Sequence, residues 1–216
     1  MKKLFLTTLF FAIILSFTFS TQTDAASGFK VVPYKYNKIE DLKYPQVNGL
    51  QNKTMEKKIN NILLNEIKKS YKEYYELEKF KQEEPDYTGD WYHTTKYSIK
   101  YNDGKTLSVL FFTDTYGGGA RNHIYVKSYN FNMSSGTEIK LDNLMTTNAK
   151  KQKLVNYINN LSKKHDIFPE AYNYQDLKTS SEFVYTKGGI ILNFQEYTAW
   201  ASSEMPVIKV AQSIYK

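Results

Sequence analysis

Cysteine is absent from all 216 residues. That excludes disulfide staples, a thiolate nucleophile and thiolate metal ligands, and it excludes lipid attachment at a cysteine behind an apolar leader. Histidine is nearly absent. His93, His123 and His165 are far apart, with no His-x-x-x-His or His-Glu-x-x-His pair, so no local metal motif exists and only a site assembled by folding is left. No Gly-x-Ser-x-Gly elbow is present. No stretch after residue 19 is apolar enough to cross a bilayer, and no Gly-, Pro- or Ser-rich linker divides the chain. The expectation is a protein without catalytic residues, bound metal or cofactor.

What is present begins with a leader. Lys2 and Lys3 precede an apolar run over residues 4–19, and Thr23-Asp24-Ala25-Ala26 offers small residues for a signal peptidase. Cleavage is expected after Ala25 or one residue later, giving a secreted protein with no stable membrane span. An uncleaved anchor is the alternative, against which the run is short and diluted by Thr7, Thr8, Ser16 and Thr18. An exported animal protein of this size usually carries disulfides. A cysteine-free, Lys-, Asn- and Tyr-rich chain reads instead as a Gram-positive bacterial product. The formal charge is +7, and the chain stays basic once Lys2, Lys3 and Asp24 leave with the leader. Basic charge outside the cell favours anionic wall polymers and serves solubility equally well; export argues against nucleic acid.

Patterning predicts an α+β fold of small antiparallel sheets, built from hairpins, with two main amphipathic helices packed on them. Residues 29–47 alternate loosely around Pro33 and Pro45 and predict short edge strands. The first helix is expected over residues 52–77, with Met55, Ile59, Ile62, Leu63 and Ile67 on one face, continued by Ser70, Tyr71 and Tyr74. Its opposite side, Lys57, Lys58, Glu66, Lys69 and Glu73, reads as a solvated charged face. Hairpins are expected around residues 102–105, 133–136 and 187–189, a short turn at 142–145, a second helix over 147–164 with Leu154, Tyr157, Ile158 and Leu161 inward, and a last strand at 207–210.

Gly117-Gly118-Gly119 lies between two strand-like runs and lacks the strand-to-helix setting of a phosphate cradle. It reads as a tight crossing between strands, or as a loop where a ligand meets backbone amides beside Arg121. Tyr116, Tyr197 and Trp200 sit in loop-like segments, where exposed rings suit sugar stacking or protein contact. The candidate ligand-binding residues are therefore Tyr116, Gly118, Gly119, Arg121, Tyr197 and Trp200. A carboxylate pair for glycoside hydrolysis drawn from Asp86, Asp90, Asp114 or Glu196 is the enzymatic alternative.

Several short motifs fall in a familiar order. Tyr44-Pro45 with Gly49, then Lys58-Ile59-Asn60, resembles the N-terminal part of the extracellular region of PdaC-type peptidoglycan deacetylases and RsiV-type anti-sigma factors. Gly118-Gly119-Ala120-Arg121, residues 127–131, Ser135-Gly136, Leu141 with Leu144, Lys187-Gly188-Gly189-Ile190 and Phe194 with Tyr197 resemble the second part. The resemblance implies residues 26–115 as a PdaC/RsiV-like α+β domain and 116–216 as an RsiV-like one, behind a signal peptide at 1–25. It implies work at the bacterial envelope, with cell-wall glycan or a lysozyme-like protein as partner. The Asp/His metal site of PdaC-type enzymes belongs to a separate catalytic domain that these residues do not match, so the expectation is a binding module.

Overall fold

Two prolines mark the first pair of strands. The structure, a computed structural model, describes residues 28–84, 89–196 and 205–216. Strands β1 (Lys30–Lys35) and β2 (Lys43–Asn48) pair only with each other, and Pro33 stands opposite Pro45. A residue without a backbone donor is tolerated at such edges. Asn52 then caps α1 (Lys53–Glu83) by accepting the Met55 N–H at 3.1 Å. Its inward row is Ile59, Leu63, Ile67 and Ser70.

The helix outruns its expected end at residue 77 by more than a turn. Residues 78–83 are good helix formers, and Glu78–Lys81 and Lys79–Glu83 pairs brace them.

The period then changes to two. Strands β3 (Tyr92–Asn102), β4 (Thr106–Tyr116), β5 (His123–Asn132) and the two-residue β6 (Thr137–Glu138) form an antiparallel sheet in that order. The Asp103 carboxylate closes the first hairpin by accepting the Lys105 and Thr106 N–H groups. β6 stops early because Leu141 opens a short helix, α2 (Leu141–Leu144).

Helices α3 (Asn148–His165) and α4 (Tyr174–Ser180) follow, then an antiparallel sheet of β7 (Ser181–Thr186), β8 (Gly189–Phe194) and β9 (Val207–Ala211). Helix α4 was not anticipated; Asn173 and Asp176 form a capping box at its start. This is the expected α+β architecture.

Alternation along β4 and β5 gives the middle sheet two apolar faces. Leu107, Val109, Phe111, Tyr129 and Phe131 pack with Ile59, Leu63 and Ile67 of α1. Leu110 and Val126 point the other way and meet Val184 of β7. A larger core holds Leu154 and Ile158 of α3 against Ile190, Leu192 and Phe194 of β8. Each fully buried aliphatic or aromatic side chain contributes about 1.5–3 kcal/mol relative to exposure.

The two packed halves are joined at the outer edge of β5, which pairs with β6 only at Phe131 and Asn132. The N–H groups of Ile124, Val126 and Ser128 on that edge are met by side chains of β7 and of the residues just after β8. Ile124 donates to Glu196 at 2.9 Å, Val126 to Gln195 at 3.1 Å and Ser128 to Glu182 at 3.1 Å, while Gln195 donates back to the Val126 carbonyl at 2.8 Å. An exposed strand edge is thereby satisfied without another strand.

Candidate functional site

Where α1 passes over the end of the middle sheet, the packing turns from apolar to polar. Continuing the inward row after Ile67 brings Ser70 onto the sheet rather than another aliphatic residue. Opposite it, β3 and β4 present two cross-strand pairs, His93 with Thr115 and Thr95 with Thr113. Ser70 Oγ lies 2.7 Å from His93 Nε2 and 2.5 Å from Thr95 Oγ1. Thr95 Oγ1 is 2.9 Å from Thr113 Oγ1, and Thr115 Oγ1 is 2.8 Å from His93 Nδ1. Ser70, His93 and Thr95 are buried, so each hydroxyl and ring nitrogen must find its partner inside this network. Burial lowers the His93 pKa below its ordinary value, with Asp114 acting weakly against it; the imidazole is neutral at neutral pH.

This network underlies a groove of about 650 Å³. Thr113, Thr115, Tyr125 and Lys127 supply sheet residues, Glu66, Lys69 and Glu73 the α1 wall, and His123, Gln195 and Glu196 the far side. Register explains the floor, because Thr113 stands opposite Tyr125 and Thr115 opposite His123. Tyr125 is 49% exposed.

The carboxylates differ in their surroundings. Glu66 accepts from the Tyr129 hydroxyl at 2.7 Å and pairs with Lys69 at 3.1 Å. Burial, reinforced by that bond to Glu66, holds the Tyr129 phenol far above its ordinary pKa, so it remains a donor. Glu196 is nearly buried, accepts the Ile124 N–H and lies 3.9 Å from His123. Glu73 has a largely exposed side chain, and its ion-pair contact is His93 Nδ1 at 3.9 Å. Desolvation by the groove walls, then the charge of Glu66, raise its carboxyl above the usual range. A solvent-open aromatic ring among carboxyls, hydroxyls and an amide can stack a sugar face and bond its hydroxyls. Among the described residues, no group of three or more His, Cys, Asp or Glu is arranged to hold a metal ion.

The residues singled out from the sequence fall beside this groove or outside the described chain. Tyr116 ends β4, half-buried, with its hydroxyl donating to the Gly119 carbonyl at 3.0 Å and its ring 6.0 Å from Tyr92. Gly118 takes φ +86°, a conformation that favours glycine, within the exposed stretch of residues 117–121. Gly119 and Arg121 lie on that stretch. The loop joins Thr115 to His123, both groove residues, so it adjoins one end of the groove. Tyr197, Trp200 and Asp86, like the expected leader at residues 1–25, lie outside the described residues. Asp114, half-buried, accepts from Asn122 at 2.7 Å.

The α1 face that the sequence pattern alone makes a solvated charged surface is one wall of this groove. The groove residues Glu66, Lys69, Ser70, Glu73, Tyr125 and Lys127 were missed as a group. The available signal was Ser70, a hydroxyl in an otherwise apolar inward row with charged residues around it.

The fold is shared with solved structures. A DUF3298-family protein from Bacteroides fragilis is 15% identical, with 88% of this chain and 92% of that one covered and a TM-score of 0.57. A DUF3298-family protein from Pseudomonas aeruginosa is 11% identical, with 86% and 91% covered and a TM-score of 0.50. At these identities the likeness concerns the fold alone. Residues 32–122 match the family model described as Deacetylase PdaC, so the chain carries a PdaC-type domain over that span, less than half its length. No curated protein matches the chain. Among the described residues, no helix is long and apolar enough to cross a membrane.

Proposed function

We propose that this protein is an exported, non-catalytic binding module of the bacterial cell envelope that holds a cell-wall glycan in the groove between α1 and β5. The observation that carries this reading is the half-exposed Tyr125 ring set among the Glu66, Glu73, Thr113 and Thr115 side chains in a groove of sugar-binding size. The PdaC-type domain, the basic charge and the leader at residues 1–25 support a site of action at the wall. The adjoining loop with Tyr116, Gly118, Gly119 and Arg121, and the segment with Tyr197 and Trp200, are the further contacts expected. The test is titration with purified peptidoglycan fragments. Saturable binding is expected, weakened about ten-fold by Tyr125→Ala, the scale of one lost stacking contact. Absence of binding defeats the reading. A lysozyme-like protein is the partner that the resemblance to RsiV-type proteins implies, and lysozyme titrated in parallel distinguishes it from glycan.

A second reading is a wall-polysaccharide hydrolase. It is favoured by Glu66 and Glu73 lining one groove with unlike surroundings, because glycoside hydrolysis needs one protonated and one ionised carboxyl. Release of reducing ends from peptidoglycan, lost in Glu73→Gln, would support it; intact polymer after prolonged incubation would exclude it.

A further inference from the structure

The groove carboxyls are not equivalent, and the difference bears on which glycan fits. Lys69 compensates Glu66, and the Tyr129 hydroxyl holds it as well. Glu196 is committed to the Ile124 N–H and is almost fully enclosed, its side chain 5% exposed. Lys127, the other lysine of the groove, is taken by Glu182 at 2.6 Å. Glu73 alone of these acids is open to solvent, 69% exposed, and among the described residues no lysine or arginine pairs with it. Its neighbour His93 is neutral and already engaged at both ring nitrogens, so it supplies no charge. The groove thus presents, at Glu73, a solvent-open carboxylate without a lysine or arginine partner among the described residues, on a molecule of overall positive charge. Burial, chiefly, raises the Tyr125 phenol; Lys127 opposes the rise, and Glu182, Glu66 and, least, Glu73 add to it.

We infer that Glu73 makes the groove select glycans with a free amino group, so that a 2-amino-2-deoxy sugar unit, stacked on Tyr125, places its ammonium against the Glu73 carboxylate. This rests on the glycan reading of the groove. An N-acetyl group at that position offers no charge and leaves Glu73 uncompensated under a partly dehydrated ligand, which penalises the acetylated unit. An open carboxylate meeting an ammonium at a half-exposed site supplies selectivity rather than most of the affinity.

The experiment compares two probes of equal length, hexa-glucosamine and hexa-N-acetylglucosamine, titrated calorimetrically at low salt and about pH 6, where the amines are largely protonated. The free-amine hexamer is expected to bind about five-fold more tightly, the scale of one exposed ion pair. Added salt should erode that margin. Glu73→Gln should abolish the margin by weakening only the free-amine hexamer. Glu83→Gln, at the far end of α1 and outside the groove, should keep it. Equal affinities for the two sugars, a preference for the acetylated one, or a margin that survives Glu73→Gln would each overturn the inference while leaving a glycan groove intact. Binding of neither hexamer would remove the groove reading, and this inference with it.

Discussion

The two halves of the molecule use one packing device and diverge where a groove opens. In the N-terminal half, the Asn60 side chain of α1 clasps the backbone of one residue of β2. It accepts the Val47 N–H at 2.7 Å and donates to the Val47 carbonyl at 2.8 Å. In the C-terminal half, Asn159 of α3 does the same to Tyr172, at 2.9 Å in each direction. Both asparagines follow a fully buried isoleucine, in the sequences Ile59-Asn60-Asn61-Ile62 and Ile158-Asn159-Asn160-Leu161. Each inward row also ends on a buried serine, and here the halves part. Ser162 accepts the Phe168 N–H at 2.9 Å, so it serves the chain just beyond its own helix. Ser70 reaches across to His93 and Thr95 and anchors a polar network under the groove. A cavity of about 600 Å³ beside α3, lined by Asn156, Asn159 and Tyr172, contains no carboxylate. The same scaffold closes on itself in one half and leaves a charged groove in the other.

The largest expected effect breaks the C-terminal half alone. A Cβ at Gly189 would lie 2.1 Å from the Val210 carbonyl oxygen, where backbone meets backbone and neither can yield. Gly189→Ala should cost about 3 kcal/mol or more in urea unfolding. A loss under about 1 kcal/mol would show that the β8–β9 contact is looser than described.

The shared device is tested next. Asn60→Ala and Asn159→Ala each remove two hydrogen bonds from the backbone of one residue, Val47 or Tyr172, and should each cost about 2 kcal/mol. A loss in one half only would break the parallel.

The serines sharpen it. Ser70→Ala leaves His93 and Thr95 short of a partner and should cost about 1.5 kcal/mol, Ser162→Ala about 1 kcal/mol. The two should also differ in pH response. The folded His93 pKa lies below its unfolded value near 6.5, so the folded state binds fewer protons between the two values. Stability contributed by neutral His93 is present above about pH 6.5 and lost as pH falls below it toward the folded value. His93→Gln should flatten the fall in melting temperature between about pH 7 and 5 relative to wild type. An unchanged slope would mean that the ring is not held neutral.

The smallest expected effect on stability is that of Tyr125→Ala, below about 0.5 kcal/mol for a surface ring, although it should disable the groove.

Much of this fold was legible from short-range chemistry. The three hairpins are declared by turn residues such as Asn102-Asp103-Gly104. Asn52 and Thr54 are both cap residues by type, and it is Asn52 that caps α1; Thr147, where the second helix is expected to start, caps α3. The far end of α1 was missed because mixed charges over residues 78–83 lack apolar spacing yet stabilise a helix. Helix α4 is too short for periodicity to find, although its Asn173 and Asp176 box was readable. The groove was not legible, because it depends on which part of α1 lies over β4 and β5. From sequence, Glu66, Lys69 and Glu73 are indistinguishable from an ordinary wet face. Once α1 is docked, the same spacing turns them along the wall of a cleft.

The most direct test of the groove as the binding site is a titration of the labelled protein with a soluble peptidoglycan fragment, followed by backbone amide resonances. The account predicts saturating shifts at Lys69–Glu73 and at Ile124–Val126, absent in Tyr125→Ala, with the Asn159–Tyr172 region unmoved. Shifts confined to the α3 cavity, or none at saturating fragment, would contradict it.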